Sequence, residues 1–258
     1  KRSACVKKTP DDYFGKERLT IKGNDMRPKR ESFKEFKDRI GGFNRRGFPE
    51  GETLITNEKL LEKADRTGRL IPYMGSTVMY MLSEEAQQEI ACVQEALYGQ
   101  FGRFFAERLS ADQMHITLHD LISGAPSSWI LKSMMSLSGR IDERIEQIKR
   151  RHENIVLRST YLFNMVGTSL VWGFEPIDDE NYRILMDAYE SIDKIVKLNY
   201  PLTPHITVAY FKPGIYEDIS VIQPFTDSVH GKKTIEIALT PEMLGQYFFF
   251  SMNDYQKA

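Results

Sequence analysis

The tripeptide His-Ile-Thr occurs twice in this chain, at His115-Ile116-Thr117 and at His205-Ile206-Thr207. The frames around the copies match: Met-His-Ile-Thr-Leu in the first and Pro-His-Ile-Thr-Val in the second. Apolar, β-branched residues in alternation predict a strand at each copy. In a strand, residues two apart project from one face. Each copy therefore presents an imidazole and a hydroxyl side by side, with the isoleucine turned the other way. Five histidines and fourteen threonines in 258 residues give about 0.3 His-x-Thr tripeptides by chance, so two copies in equivalent settings call for an explanation. The repeat constrains the fold strongly. Two strands must bring their marked faces together if the pairs are to form one pocket, a device suited to acid–base chemistry on a phosphate.

The chain around the repeat has a duplicated layout. Thr77–Leu82 reads as a strand. Ser83 is an N-cap with Glu84 and Glu85 behind it. Ala86, Ile90, Val93, Leu97 and Phe101 form a helical stripe leading to the first motif strand. Further on, Ile155–Val166 and Ser169–Phe174 read as antiparallel strands around Gly167. A helix then follows from Asp178 or Asp179, buried through Tyr182, Leu185, Met186, Tyr189, Ile192 and Val196, and leads to the second motif strand. Residues 127–150 are expected to be helical, with Gly139 dividing them. The last strands are expected at Thr234–Leu239 and Gln246–Met252. The two lobes interleave around 77–120 and 155–211, with the motif histidines 90 residues apart. The expected class is α+β: a bilobal, pseudo-twofold fold in which two antiparallel sheets face a central cleft and helices cover their outer faces.

Two His-x-Thr motifs on strands, separated by a βα unit, resemble the 2H phosphoesterase superfamily, which includes bacterial RNA 2′,5′-ligase-like proteins and cyclic nucleotide phosphodiesterases. The resemblance spans roughly residues 70–252. The stretch from Asp65-Arg66-Thr67-Gly68 through Pro72-Tyr73-Met74-Gly75-Ser76-Thr77-Val78, with the first motif read on to His119-Asp120, further resembles a bacterial branch of that superfamily. The resemblance implies a phosphoric diester hydrolase acting on a 2′,3′-cyclic phosphate or a related nucleotide or RNA end, with RNA 2′,5′-ligase-like activity as a variant. Of His115 and His205, one is then the general base for water and the other the general acid, in an order the sequence leaves open. Thr117 and Thr207 are expected to hold non-bridging phosphate oxygens. This scheme uses no cofactor and no metal, and neither motif carries a carboxylate or third histidine at ligand spacing. The alternative from another class is a binding module that holds a nucleotide or RNA end in the same cleft without turnover.

Several residues stand beside the motifs as auxiliaries. If the first strand stays regular, His119 shares the face of His115 and Thr117, where it either binds phosphate or sets the basicity of His115; the competing reading is a solvent-facing histidine at the strand end. Its counterpart is Ala209. Tyr210 is expected on the opposite face, in the core. Lys212, just past the second strand, is either a phosphate contact or an exposed strand-end lysine. Trp172, Tyr73 and Tyr161 are candidate base-stacking aromatics, with core packing as the stronger reading. His152 and His230 sit in polar, loop-like settings.

Composition bounds the rest. The net charge of −1 conceals +7 over residues 1–72 and −8 over 73–258. Residues 1–70 read as a basic N-terminal extension, partly helical: irregular over 1–27 and helical over Pro28–Ile40, with Phe33, Phe36 and Ile40 at helical spacing. The extension docks on the 71–258 domain through the loop residues Phe43 and Phe48, and is helical again after a Thr56 cap through Leu60, Leu61 and Ala64. A basic arm can hold nucleic acid, but its charges are mixed, which fits a solvated arm on its own acidic body better. Two cysteines, Cys5 and Cys92, exclude a disulfide scaffold and suggest a reducing, cytoplasmic setting. The chain begins at Lys1, so a removed leader stays open. No apolar run reaches membrane length, and no membrane or protein partner is expected.

Overall fold

The computed structural model describes residues 30–45 and 47–258. The irregular stretch expected over 1–27, with Cys5, lies outside the described residues. One compact unit runs from Ser32 to Ala258. It begins with helix α1 (Phe33–Gly41), where Ser32 and Glu35 form a capping box, each satisfying the other's backbone amide. Phe36 and Ile40 fall on the buried side, and Phe33 stacks on Tyr182 at 5.4 Å. A short strand β1 (Leu54–Ile55) follows. The helix expected after Thr56 is only a 3₁₀ turn, Glu58–Glu62, and its cap is Asn57. Thr56 instead exchanges hydrogen bonds with Gly214.

The body consists of β2 (Met74–Met81), α2 (Glu84–Phe101), β3 (His115–Gly124), α3 (Ser128–Arg151), β4 (Ile155–Met165), β5 (Ser169–Pro176), α4 (Asp179–Asp193) and β6 (His205–Tyr210). Then come β7 (Ile215–Tyr216), α5 (Gln223–Lys232), β8 (Glu236–Leu239), β9 (Leu244–Ser251) and β10 (Asp254–Lys257). α3 is a single helix of 24 residues that runs through Gly139. The expected break fails because an interior glycine costs only about 1 kcal/mol in a helix, and the buried Ile130, Met134, Ile141, Ile145 and Ile148 tie both halves to the body. α5 and the β1–β7 pair were not anticipated from the sequence; both are too short for a periodic signal.

Two four-stranded antiparallel sheets carry the fold, ordered β10-β9-β2-β3 and β6-β5-β4-β8. Each motif strand is an edge strand, paired antiparallel with the strand that precedes its crossover helix. The two edges, β3 and β6, lie against each other. Helix α3 covers the first sheet, and α4 packs on β4, β5 and β3. The mixed, antiparallel α+β class is therefore the observed one. One apolar core, holding Leu97, Ile116, Trp172, Phe174, Ile206 and Phe211 among others, runs through both sheets.

Both motif strands contain a bulge at the same place. In β3 the pairs are Met81↔His115, Met79↔Thr117 and then Val78↔His119, so Leu118 is left over. In β6 they are Gly173↔His205, Val171↔Thr207 and then Leu170↔Ala209, so Val208 is left over. An extra residue restarts the in–out alternation of a strand. Each bulge has its own brace. Thr77 Oγ1 donates to the His119 carbonyl at 3.1 Å in the first lobe. In the second, buried Gln94 donates from Nε2 to the carbonyls of Val208 at 3.0 Å and Leu109 at 3.2 Å, while its Oε1 accepts from Arg108 Nε at 2.6 Å.

Candidate active site

The two motif histidines are held identically. His115 Nδ1 lies 2.7 Å from the carbonyl of Gln113, and His205 Nδ1 lies 2.7 Å from the carbonyl of Thr203. A carbonyl only accepts, so each bond places the hydrogen on Nδ1 and leaves Nε2 as the nitrogen that titrates. Among the described residues, neither Nε2 has a hydrogen-bond partner, and neither the Thr117 nor the Thr207 hydroxyl has one. All four side chains are half-buried. The isoleucines between them point into the core, Ile116 at 1% exposure and Ile206 at 0%. A regular strand up to the threonine gives this arrangement.

Electrostatics keep both imidazoles neutral near pH 7. Burial pushes His115 down to about 4, against the pull of the Gln113 carbonyl, and His205 lowers it further. Burial also lowers His205; the Thr203 carbonyl and Asp120 work against this, and Lys63 adds to it. The two imidazoles therefore sense each other, and one carboxylate, Asp120, stabilises the protonated form of both.

Beyond the threonines the bulges decide which residues join the site. They carry Asp120 and Tyr210 onto the histidine face. Asp120 accepts a hydrogen bond from Tyr200 Oη at 2.7 Å, which ties β3 to the loop before β6. Tyr210 donates to Met252 Sδ at 3.1 Å and lies under the ammonium of Lys63, 5.3 Å from the ring centroid. Lys63 is also 5.3 Å from the centroid of Tyr73. Tyr255 packs on His115 with ring centroids 4.6 Å apart and is backed by Phe249, which stacks on Tyr73 at 6.0 Å.

His119 stands elsewhere, because the regular strand that would have kept it beside His115 is interrupted. It is 1% exposed and packs on Tyr189 of α4 at 5.2 Å. Its Nδ1 lies 2.6 Å from the Asp120 carbonyl, and its Nε2 lies 3.4 Å from Asp193 Oδ1. Burial lowers its basicity, with Asp193 and the Asp120 carbonyl opposing. Tyr210 undergoes the reverse exchange and faces the motif residues instead of turning away from them. Lys212 lays its stem beside Gly68, where a Cβ would meet Lys212 Cδ at 3.1 Å. Trp172 is fully buried in the core, and Tyr161 packs on His230 at 4.1 Å. Of the three candidate base-stacking aromatics, Tyr73 alone stands at this cluster.

Sequence reasoning missed Lys63, Asp120, Tyr200 and Tyr255. Asp120 was legible only through the bulge. Lys63 carried a signal, since it stands two residues before the Asp65-Arg66-Thr67-Gly68 turn, but nothing local shows where its side chain reaches. Among the described residues, no three His, Cys, Asp or Glu side chains are grouped as a metal ion requires. No helix among them is long and apolar enough to cross a membrane.

No family model and no curated protein matches the chain. Solved structures do resemble it. The conserved protein ATU0111 of Agrobacterium tumefaciens, of unknown function, is 14% identical with a TM-score of 0.57, covering 79% of this chain and 92% of that one. Escherichia coli LigT complexed with 3′-AMP is 12% identical with a TM-score of 0.42, covering 72% of this chain and 94% of that one. TT0787 of Thermus thermophilus is 15% identical with a TM-score of 0.37, covering 69% and 87%. The first likeness is one of fold alone, and the other two are too distant for an argument to rest on them.

Proposed function

We propose that the chain is a 2H-type phosphodiesterase that opens a 2′,3′-cyclic phosphate on a nucleotide or RNA end by paired-histidine catalysis. One observation carries this reading: two imidazoles are oriented by equivalent 2.7 Å bonds to backbone carbonyls, so that each leaves Nε2 as its working nitrogen. An unpartnered threonine hydroxyl stands beside each. In the reaction, the neutral histidine takes a proton from water as the water oxygen bonds to phosphorus. The protonated histidine gives its proton to the ribose oxygen as the P–O bond breaks. Thr117 and Thr207 donate hydrogen bonds to the non-bridging oxygens, where charge accumulates. Which histidine takes which role depends on how the ribose lies. The bound phosphate supplies the negative charge that draws a proton onto one of the two depressed imidazoles.

The test is turnover of 2′,3′-cyclic mononucleotides by His115→Ala and His205→Ala, with circular dichroism to check the fold. Each substitution is expected to lower kcat/KM by about 10²–10⁴-fold, the range for one general acid or base. Undiminished turnover in both folded variants would overturn the mechanism. A cleft that binds the nucleotide but yields no product in the wild type would make this a binding module.

A further inference from the structure

Lys63 is a cation that the motifs do not announce, and the chain is built to keep it in place. Lys63 sits at the base of a tight turn. Ala64 and Leu70 form an antiparallel bridge, and the Ile71 amide donates to the Lys63 carbonyl at 3.0 Å. Across the turn, Asp65 Oδ1 accepts from the Thr67 amide at 2.8 Å, the Thr67 hydroxyl at 2.6 Å and the Arg69 amide at 3.1 Å. Gly68 has φ of +92°, a conformation that favours glycine. A Cβ there would lie 3.2 Å from Ala106 Cα, and the Glu107 amide donates to the Gly68 carbonyl at 2.7 Å. The Asp65-Arg66-Thr67-Gly68 motif is thus a lock that fixes the backbone of Lys63 against the body.

The side chain held there is half-buried. Its ammonium lies over two buried aromatic rings, 5.3 Å from the centroids of both Tyr73 and Tyr210. Ring faces attract a cation but do not neutralise it. Among the described residues, no carboxylate lies within ion-pair distance of Lys63 Nζ. Tyr210 is on β6, on the same face as His205 and Thr207 because of the bulge at Val208. The ammonium stays protonated, since Tyr210, Tyr73 and Asp120 outweigh the burial that disfavours its charge. Its field reaches His205.

We propose that Lys63 is the anion-binding cation of this cleft: its ammonium takes the charged oxygens of the phosphate that His115, His205, Thr117 and Thr207 surround. This rests on the phosphodiesterase reading for the substrate and on the packing alone for the site. A phosphodiester brings at least one negative charge into a half-buried space with two neutral imidazoles. A lysine without a counter-ion, anchored on aromatic faces, meets that charge with little rearrangement. Lys63 comes from the segment ahead of the sheet, outside both motif strands.

The test uses the full chain with inorganic phosphate as the probe. Phosphate is titrated into wild type, Lys63→Met, Lys63→Gln and Lys63→Arg while the His115 and His205 imidazoles are followed by NMR, and kcat/KM for 2′,3′-cyclic AMP is measured in parallel. Loss of a charged hydrogen-bond donor should weaken phosphate binding by about 10- to 100-fold in the Met and Gln variants. His205 should titrate at a higher pH in both, since a neighbouring positive charge is gone. Arg should retain most of the phosphate affinity because it keeps the charge. A structural role for the lysine stem would leave Met nearly normal in both readouts. Phosphate affinity within about twofold of wild type in Met and Gln, with His205 unmoved, overturns the proposal. If Met unfolds, Gln and Arg carry the comparison. If wild type turns over no cyclic phosphate but Lys63-dependent phosphate binding persists, the hydrolase reading fails and the anion site stands.

Discussion

Thr207 and Tyr210 face the same cleft although they stand three positions apart along β6. In a regular strand that spacing would put them on opposite sides. Val208 has no partner on β5, and the extra residue turns Tyr210 back toward the motif. β3 repeats the relationship with Thr117, the unpaired Leu118 and Asp120. Each half of the site is therefore three residues deep, with a histidine, a threonine and one residue supplied by the bulge. The third position differs between the lobes, carboxylate in one and phenol in the other, so the pseudo-twofold symmetry ends there.

The bulge at Val208 depends on Gln94, whose amide nitrogen bridges the Val208 and Leu109 carbonyls. Gln94→Leu should leave buried acceptors without donors and cost about 1–3 kcal/mol of stability. Activity should fall further than stability explains, because Tyr210 loses its register. Urea denaturation and kcat/KM on the same preparation check this; a variant as stable and active as wild type would contradict the bracing role.

Arg39 of α1 donates to the Leu202 carbonyl at 2.9 Å and to Thr203 Oγ1 at 3.2 Å. The Thr203 carbonyl orients His205, so α1 acts on the site through one loop. Arg39→Ala is expected to lower kcat by about tenfold or more, the scale of a lost charged hydrogen bond, while the motif strands stay folded. A kcat equal to wild type would show that the loop holds His205 without Arg39.

The free protein should favour the acid side in kcat/KM. Both motif histidines titrate below the ordinary histidine value of about 6.5, His115 near 4. The active form has one proton shared between the two, and its population peaks between their two titration points. The optimum is therefore expected below pH 6.5. Asp120 raises both values, so Asp120→Asn, which keeps an acceptor for Tyr200, should move the optimum further to acid. An optimum above pH 7, or an alkaline shift in the variant, would contradict this account.

Stability should fall with pH for the same reason. His115, His119 and His205 all bind protons less readily folded than unfolded. Above about pH 6.5 both states are neutral at these sites and the histidines add no slope. Below it the unfolded chain takes up protons that the folded chain refuses, and stability drops by at most about 1.4 kcal/mol per pH unit for each histidine. For His115 the loss ends near its folded value, about 4. Urea midpoints from pH 8 to 4.5 should decline, and less steeply in His115→Gln. Equal slopes in the two proteins would remove His115 from the linkage.

Some of this was legible without a structure because it is local. The spacing of Ile90, Val93 and Leu97 marks α2, and that of Tyr182, Leu185, Met186, Tyr189 and Ile192 marks α4; all eight are buried where the helical period puts them. The alternation through His115-Ile116-Thr117 and His205-Ile206-Thr207 sets which side chains face the core, since period and burial are properties of a few neighbouring residues. The tertiary structure alone decided what lies past each threonine. A bulge is a mismatch of register with another strand, β2 or β5, and no single strand records it. The same holds for Lys63. Its neighbours specify a turn, but only the packed body brings Tyr73 and Tyr210 under its ammonium. Thus the sequence determined the paired imidazoles and hydroxyls, whereas long-range strand pairing placed Asp120 and Tyr210 beside them and sent His119 to α4, and packing of the body set Lys63 over Tyr73 and Tyr210.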